Sequence, residues 1–178
     1  MNHLFSLALC FALAFALAGC KHGIHSGTGG QSPASSPTAA RISSSVDVVK
    51  ARAADVSIPA GGNADSTVTL SISPGYHVNA NPATFSYLIP TAVDPGKAEG
   101  IIAGKPIYPV AQKEKFQFAD EPLAVYEGDV QIKLPLRVEV NAGKGARSLL
   151  VDVRIQACDT EKCYAPDTLK TMIVVDVK

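Results

Sequence analysis

Two sulfurs lie close together near the C-terminal end of the chain, in QACDTEKCYAP, residues 156–166. Paired cysteines do one of three things. They close a structural disulfide, they exchange electrons through a reversible one, or they bind a metal. Asp159 to Lys162 separate Cys158 from Cys163, which is wider than a C-x-x-C motif. No second pair completes the four ligands that zinc takes, so neither a metal site nor a cofactor is expected. A bond across so short a loop constrains the unfolded chain weakly, by roughly 2 kcal/mol against ~3 for a fifteen-residue loop. It is a poor staple, and an accessible disulfide is open to exchange. Asp159 and Glu161 disfavour a thiolate at this turn, and Lys162 partly offsets them. Spacing alone leaves the structural clip and the exchanging pair both open.

Whatever the sulfurs do, strands must position them. STVTLSIS (66–73) alternates Val68, Leu70 and Ile72 against Thr67, Thr69 and Ser71. DVQIKLPLRVEV (129–140) alternates apolar residues from Val130 to Val140, and SLLVDVRIQA (148–157) and LKTMIVVDV (169–177) are rich in β-branched residues. These period-2 patterns predict half-buried strands. Pro135 predicts an edge strand or a bulge where it falls. Gly and Pro clusters punctuate the gaps, and no stretch has the period of an amphipathic helix. Many short strands with such turns make an all-β sandwich or barrel. The strand ending at Ala157 runs into Cys158, and a strand beginning near Thr168 follows Pro166. Facing residues of an antiparallel pair have Cα atoms ~4.5–5.5 Å apart, within reach of a disulfide.

The N-terminus places this fold in a compartment. MNHLFSLALCFALAFALAGC has an apolar run from Leu4 to Ala18, shorter than the ~20 residues of a membrane span and suited to a secretory signal. Its ending, Leu17-Ala18-Gly19-Cys20, resembles a bacterial lipobox, although the segment before the apolar run holds no Lys or Arg. Residues 1–19 are thus expected to be a lipoprotein signal peptide and Cys20 the lipidated residue. Cys10 leaves with the signal, so Cys158 and Cys163 are the one pair left in the fold, in an oxidising compartment where a disulfide is the default. Residues 20–45 are small and polar, the composition of a flexible tether, spanning on the order of 25–30 Å. His22 and His25 in it are expected to be solvated. Residues 46–178 are one domain by length. Lys plus Arg and Asp plus Glu number 16 each. That balance excludes a nucleic-acid footprint and an electrostatic membrane patch.

Three segments carry a resemblance. PGYHVNANPA (74–83), EPLAVYEGDVQIKLPL (121–136) and IQACDTEKCYAPDTLK (155–170) occur in this order. Over most of residues 46–178 the chain resembles the N-terminal periplasmic domain of the DsbD family of thiol:disulfide interchange proteins, and that domain's free-standing relatives. The most specific part is a strand ending in Gln-Ala-Cys, a short acidic turn, and Cys-Tyr-x-Pro. The resemblance implies an immunoglobulin-like β-sandwich with a redox disulfide at one end. Such a domain takes electrons from a thioredoxin-like membrane donor and hands them to thioredoxin-fold periplasmic proteins. It implies that Cys158 and Cys163 are the exchanging pair, that Cys163 forms the mixed disulfides, and that Tyr164 sits beside them. A cap loop bearing an aromatic residue shields the sulfurs in the family. The matching segment here is FQFADEP, with Phe118 as the cap aromatic and an ordinary core position as its bland alternative.

Two features depart from the family pattern. His77 and Asn79 stand where the best-known members have tyrosines near the disulfide. A histidine there either lowers a thiol pKa or is simply buried and hydrogen-bonded. The full interchange protein also continues into membrane helices and a thioredoxin-like domain, whereas this sequence stops at Lys178. A separate electron donor is therefore expected, with the lipid on Cys20 supplying attachment at the periplasmic face of a bacterial membrane. The runner-up reading is a non-catalytic sandwich that binds a periplasmic partner, with Cys158–Cys163 a passive clip.

Overall fold

The period-2 segments are strands. The computed structural model describes residues 42–178. The signal at 1–19, the lipidation site Cys20 and the linker as far as residue 41 lie outside the described residues. One sheet runs β1 (Val49–Ala53), β3 (Asn63–Ile72), β9 (Asp129–Val138) and β6 (Ile101–Ala103). A second runs β2 (Val56–Ile58), β12 (Asp167–Val177), β10 (Gly145–Ile155) and β5 (Ala92–Pro95). A smaller third sheet holds β11 (Ala157–Cys158), β4 (His77–Asn79), β8 (Leu123–Tyr126) and β7 (Gln112–Glu114). β2 runs parallel to β12, and the other pairings are antiparallel.

Burial follows the alternation. In β9, Val130, Ile132, Leu134, Leu136 and Val138 are buried, while Asp129, Gln131, Lys133 and Arg137 face water. β10 and β12 contribute Leu149, Val151, Val153, Ile155, Ile173, Val175 and Val177 to the same apolar core. Burying each such side chain contributes about 1.5–3 kcal/mol. Two sheets closed on one core make an all-β, immunoglobulin-like sandwich.

Three expectations need correction. Of the two alternatives at Pro135 the edge strand is wrong, since β9 pairs with β3 on one side and β6 on the other. The bulge is met on the β6 side, where Lys105 and Pro106 lie opposite Leu134 alone. β9 tolerates Pro135 because of where the ring points. Lys133 exchanges both backbone hydrogen bonds with Ile107, and the Pro135 carbonyl accepts from Gly104 N–H. The missing N–H therefore falls where Lys105 and Pro106 leave the ladder. Next, the strand through Val151 does not run on to the first cysteine. β10 pairs with β12 only as far as Ile155 opposite Asp167. After Gln156 the chain changes sheets, and Ala157–Cys158 pairs with β4. Finally, the last residues assigned to the tether are built into the fold. Ser45 is fully buried, its hydroxyl donates to Ala165 O (2.7 Å) and accepts from Ala157 N–H (2.9 Å), and Ser44 Oγ donates to Asp167 (2.7 Å). Composition hid this, because a serine reads as polar linker until a buried backbone group needs its hydroxyl.

Candidate functional site

The chain between β10 and β12 carries the cysteines on a small hairpin of its own. Asp159 N–H donates to Lys162 O (2.9 Å), Tyr164 N–H donates to Ala157 O (2.8 Å), and Cys158 bridges Cys163 antiparallel between them. The Asp159 carboxylate closes the turn further by accepting from the N–H groups of Glu161 and Lys162, both at 2.8 Å. Cys158 and Cys163 form a disulfide with Cα atoms 3.9 Å apart, closer than a regular antiparallel pair. The two halves are unequally exposed. Cys158 is fully buried, whereas Cys163 is partly open to solvent.

His77 lies directly opposite Cys158 in the β4–β11 ladder, which puts the two side chains on one face of the small sheet. The turn that aims β4 is Ser73-Pro74-Gly75-Tyr76, with Pro at its second position, Gly75 at φ 83° and a hydrogen bond from Tyr76 N–H to Ser73 O. That is the chemistry of a type II turn. The imidazole is 2% exposed, and its Nε2 has no hydrogen-bond partner. Burial pushes its pKa down to about 4, against the opposing charge of Asp159. His77 is thus neutral at pH 7 and provides no cation to stabilise a thiolate. It is the buried histidine of the second sequence reading, without the hydrogen bond to Nε2.

An aromatic stack covers it. Phe116 lies on the imidazole at 4.1 Å between ring centroids, and Phe118 lies on Phe116 at 5.4 Å. Phe116 is buried at 7% exposure, while Phe118 is 40% exposed. The spacing Phe-x-Phe thus splits into an inward ring and an outward one. Sequence reasoning singled out Phe118 and passed over Phe116, because the two rings are brought together by a turn over Phe116–Ala119, closed by Ala119 N–H donating to Phe116 O (3.3 Å), and no periodicity marks such a turn. The Lys115 ammonium ties this loop together by donating to Ala119 O (2.7 Å) and Asp120 O (2.6 Å).

Asn79 is also fully buried. Its amide donates to Ile89 O (3.1 Å) and to Gln156 Oε1 (3.4 Å), and its own Oδ1 has no partner. Gln156 in turn donates to Tyr164 O at 3.3 Å, so a polar chain runs from β4 to the far side of the cysteine turn. The Tyr164 hydroxyl donates to Asp159 at 2.5 Å. That bond holds the phenol's pKa well above its usual value and, with the turn's backbone donors, the Asp159 carboxyl below its own. Tyr76 packs at 6.0 Å from the Tyr164 ring, and Lys162 sits over that ring.

A disulfide on a turn closed by bonds that do not involve sulfur can open without the turn opening. One of its cysteines is buried and the other is partly exposed.

Similar solved structures are distant in sequence. A structure of the Neisseria meningitidis DsbD N-terminal domain in the reduced form superposes with a TM-score of 0.43 at 17% identity, over 66% of this chain and 82% of that one. The N-terminal periplasmic domain of ScsB from Proteus mirabilis gives 0.42 at 11% identity, over 68% of this chain and 43% of that one. A type I cohesin from Pseudobacteroides cellulosolvens gives 0.44 at 8%, over 74% and 92%. No curated protein matches the chain in sequence. The model of the family described as thiol:disulfide interchange protein DsbD, N-terminal, matches residues 45–174. This span contains both cysteines, His77 and the aromatic stack, and the chain belongs to that family.

Proposed function

We propose that the protein is a thiol–disulfide relay in which Cys158 and Cys163 cycle between disulfide and dithiol. The observation that carries this is the unequal exposure of the two cysteine residues on a turn closed independently of their bond. In the reduced state the Cys163 thiolate attacks a partner's disulfide, and one partner sulfur leaves as thiolate. Cys158 then attacks Cys163, which releases the second partner thiolate and closes the Cys158–Cys163 bond. Two electrons pass to the partner, and the two cysteine protons end on its thiols. A donor dithiol runs the same steps in reverse. Thioredoxin-fold proteins are the partner class, because their exposed cysteine pairs match a single accessible sulfur. Phe118 over Phe116 is the outer part of the cap.

The test is trapping. A Cys158→Ser variant lacks the resolving thiol and accumulates a mixed disulfide through Cys163, visible on non-reducing gels. Cys163→Ser traps little. Absence of trapping by both variants, with a potential below about −300 mV, defeats the relay reading and leaves a passive clip.

The Leu-Ala-Gly-Cys ending supports attachment to the periplasmic face of a membrane through lipid on Cys20. Stable anchoring takes more than one acyl chain, and lipoprotein processing supplies them. Cys20→Ser then abolishes acyl labelling and releases the protein from the membrane fraction. Wild type recovered in the soluble fraction without detergent removes this assignment.

A further inference from the structure

We propose that His77 Nε2 is the proton acceptor for Cys158 in the step that resolves the mixed disulfide. The inference rests on the relay reading above and adds a residue to it. It starts from an orphan. Buried polar atoms nearly always have a partner, and an imidazole nitrogen shut away from both water and protein needs an explanation. The structure holds the oxidised pair, in which the Cys158 sulfur has no proton to share. Reduction places an S–H on Cys158, directly across the ladder from His77, with Cβ atoms ~4.5–5.5 Å apart as facing pairs are. The partner that Nε2 lacks in one redox state is thus created in the other.

The chemistry requires such an acceptor. Cys158 is fully buried, and burial disfavours its thiolate, so loss of its proton to bulk water is slow. As Cys158 sulfur bonds to Cys163 sulfur and the partner's sulfur departs, the proton moves from Cys158 to Nε2. It then passes to the departing thiolate, which leaves as a thiol. No electron beyond the pair already exchanged is involved. The surroundings suit the task. Burial keeps the ring neutral and able to accept. Asp159, whose charge reaches it, favours the protonated ring once formed. Phe116 on the ring's face is uncharged and excludes water.

The experiment mixes fully reduced protein with excess chromogenic aromatic disulfide and follows the released thiolate in time. A first, concentration-dependent phase reports attack by Cys163. A second, concentration-independent phase reports resolution by Cys158. General-base assistance contributes ~100-fold or more, so His77→Phe, which keeps the stack on Phe116, is expected to lower the ratio of the second rate to the first by roughly tenfold or more. An unchanged ratio overturns the role of His77 and leaves the relay standing. A wild type with no second phase overturns the relay and this inference together. If His77→Phe fails to fold, nitrogen-15 spectra of the wild-type ring decide. Nε2 is expected to shift to a hydrogen-bonded position on reduction of the wild type, and in Cys158→Ala, which has no S–H to donate, to lose that shift. An Nε2 resonance indifferent to redox state overturns the proposal.

Discussion

At the scale of single residues, two titrating groups beside the disulfide make separable statements about acid stability. His77 takes up its proton at about 4 in the fold against 6.5 in the open chain. Between those values the unfolded state holds the extra proton, so stability falls as pH drops through that window. His77→Phe is expected to flatten this part of a plot of urea midpoint against pH. An unaltered slope removes the burial argument. Asp159 also has a depressed pKa, through Tyr164 and the turn's backbone donors. Its contribution is complete above its usual 3.8 and is lost only as pH falls below that, a lower window. Asp159→Ala removes a partly exposed acceptor of three hydrogen bonds and is expected to cost about 1 kcal/mol near neutrality. The cysteine pair was legible in the sequence because its chemistry lies in the residue type. The state of His77 was not, since neutrality comes from burial, and neighbours such as Phe116 lie far along the chain and reach it only by folding.

At the scale of elements, legibility tracks length. β3, β9, β10 and β12 have ten or eleven residues each, long enough for alternation to stand clear of chance. β4 and β6 have three and β11 two, too short to show a period, yet β4 and β11 hold the site. The QAC and GYH motifs marked their positions, but only pairing could show that the chain changes sheets at Gln156. The aromatic loop behaves likewise. Phe116 fills a buried position, so Phe116→Ala is expected to cost about 3–5 kcal/mol. Phe118 is substantially exposed, and Phe118→Ala is expected to cost under about 1 kcal/mol. If the loop caps the site, Phe118→Ala speeds reduction of the disulfide by a small thiol despite its slight cost. Rates equal to wild type would place the shield on Phe116 alone.

At the scale of the whole molecule, the start of the fold and the redox turn are one unit. Ser45 Oγ joins Ala157, just before Cys158, to Ala165, just after Tyr164, and Ser45 N–H adds a second bond to Ala165 O. Ser44 Oγ reaches on to Asp167 at the first residue of β12. The last residues assigned to the tether therefore clamp both flanks of the hairpin that carries the sulfurs. In Ser45→Ala the fully buried Ala157 keeps an N–H with no acceptor, which costs about 1–3 kcal/mol. Ser57→Ala is the control, because its hydroxyl makes one long, exposed contact of 3.4 Å to Asp176 O and is expected to change little. Urea denaturation of the two variants measures the difference, and hydrogen exchange locates it. Protection at the Ala157 amide is expected to fall in Ser45→Ala while that in the middle of β10 falls only by the global loss. If the two serine variants prove equally stable, the clamp contributes nothing. Exchange quickened uniformly along β10 would instead make Ser45 a general core residue with no particular hold on the turn.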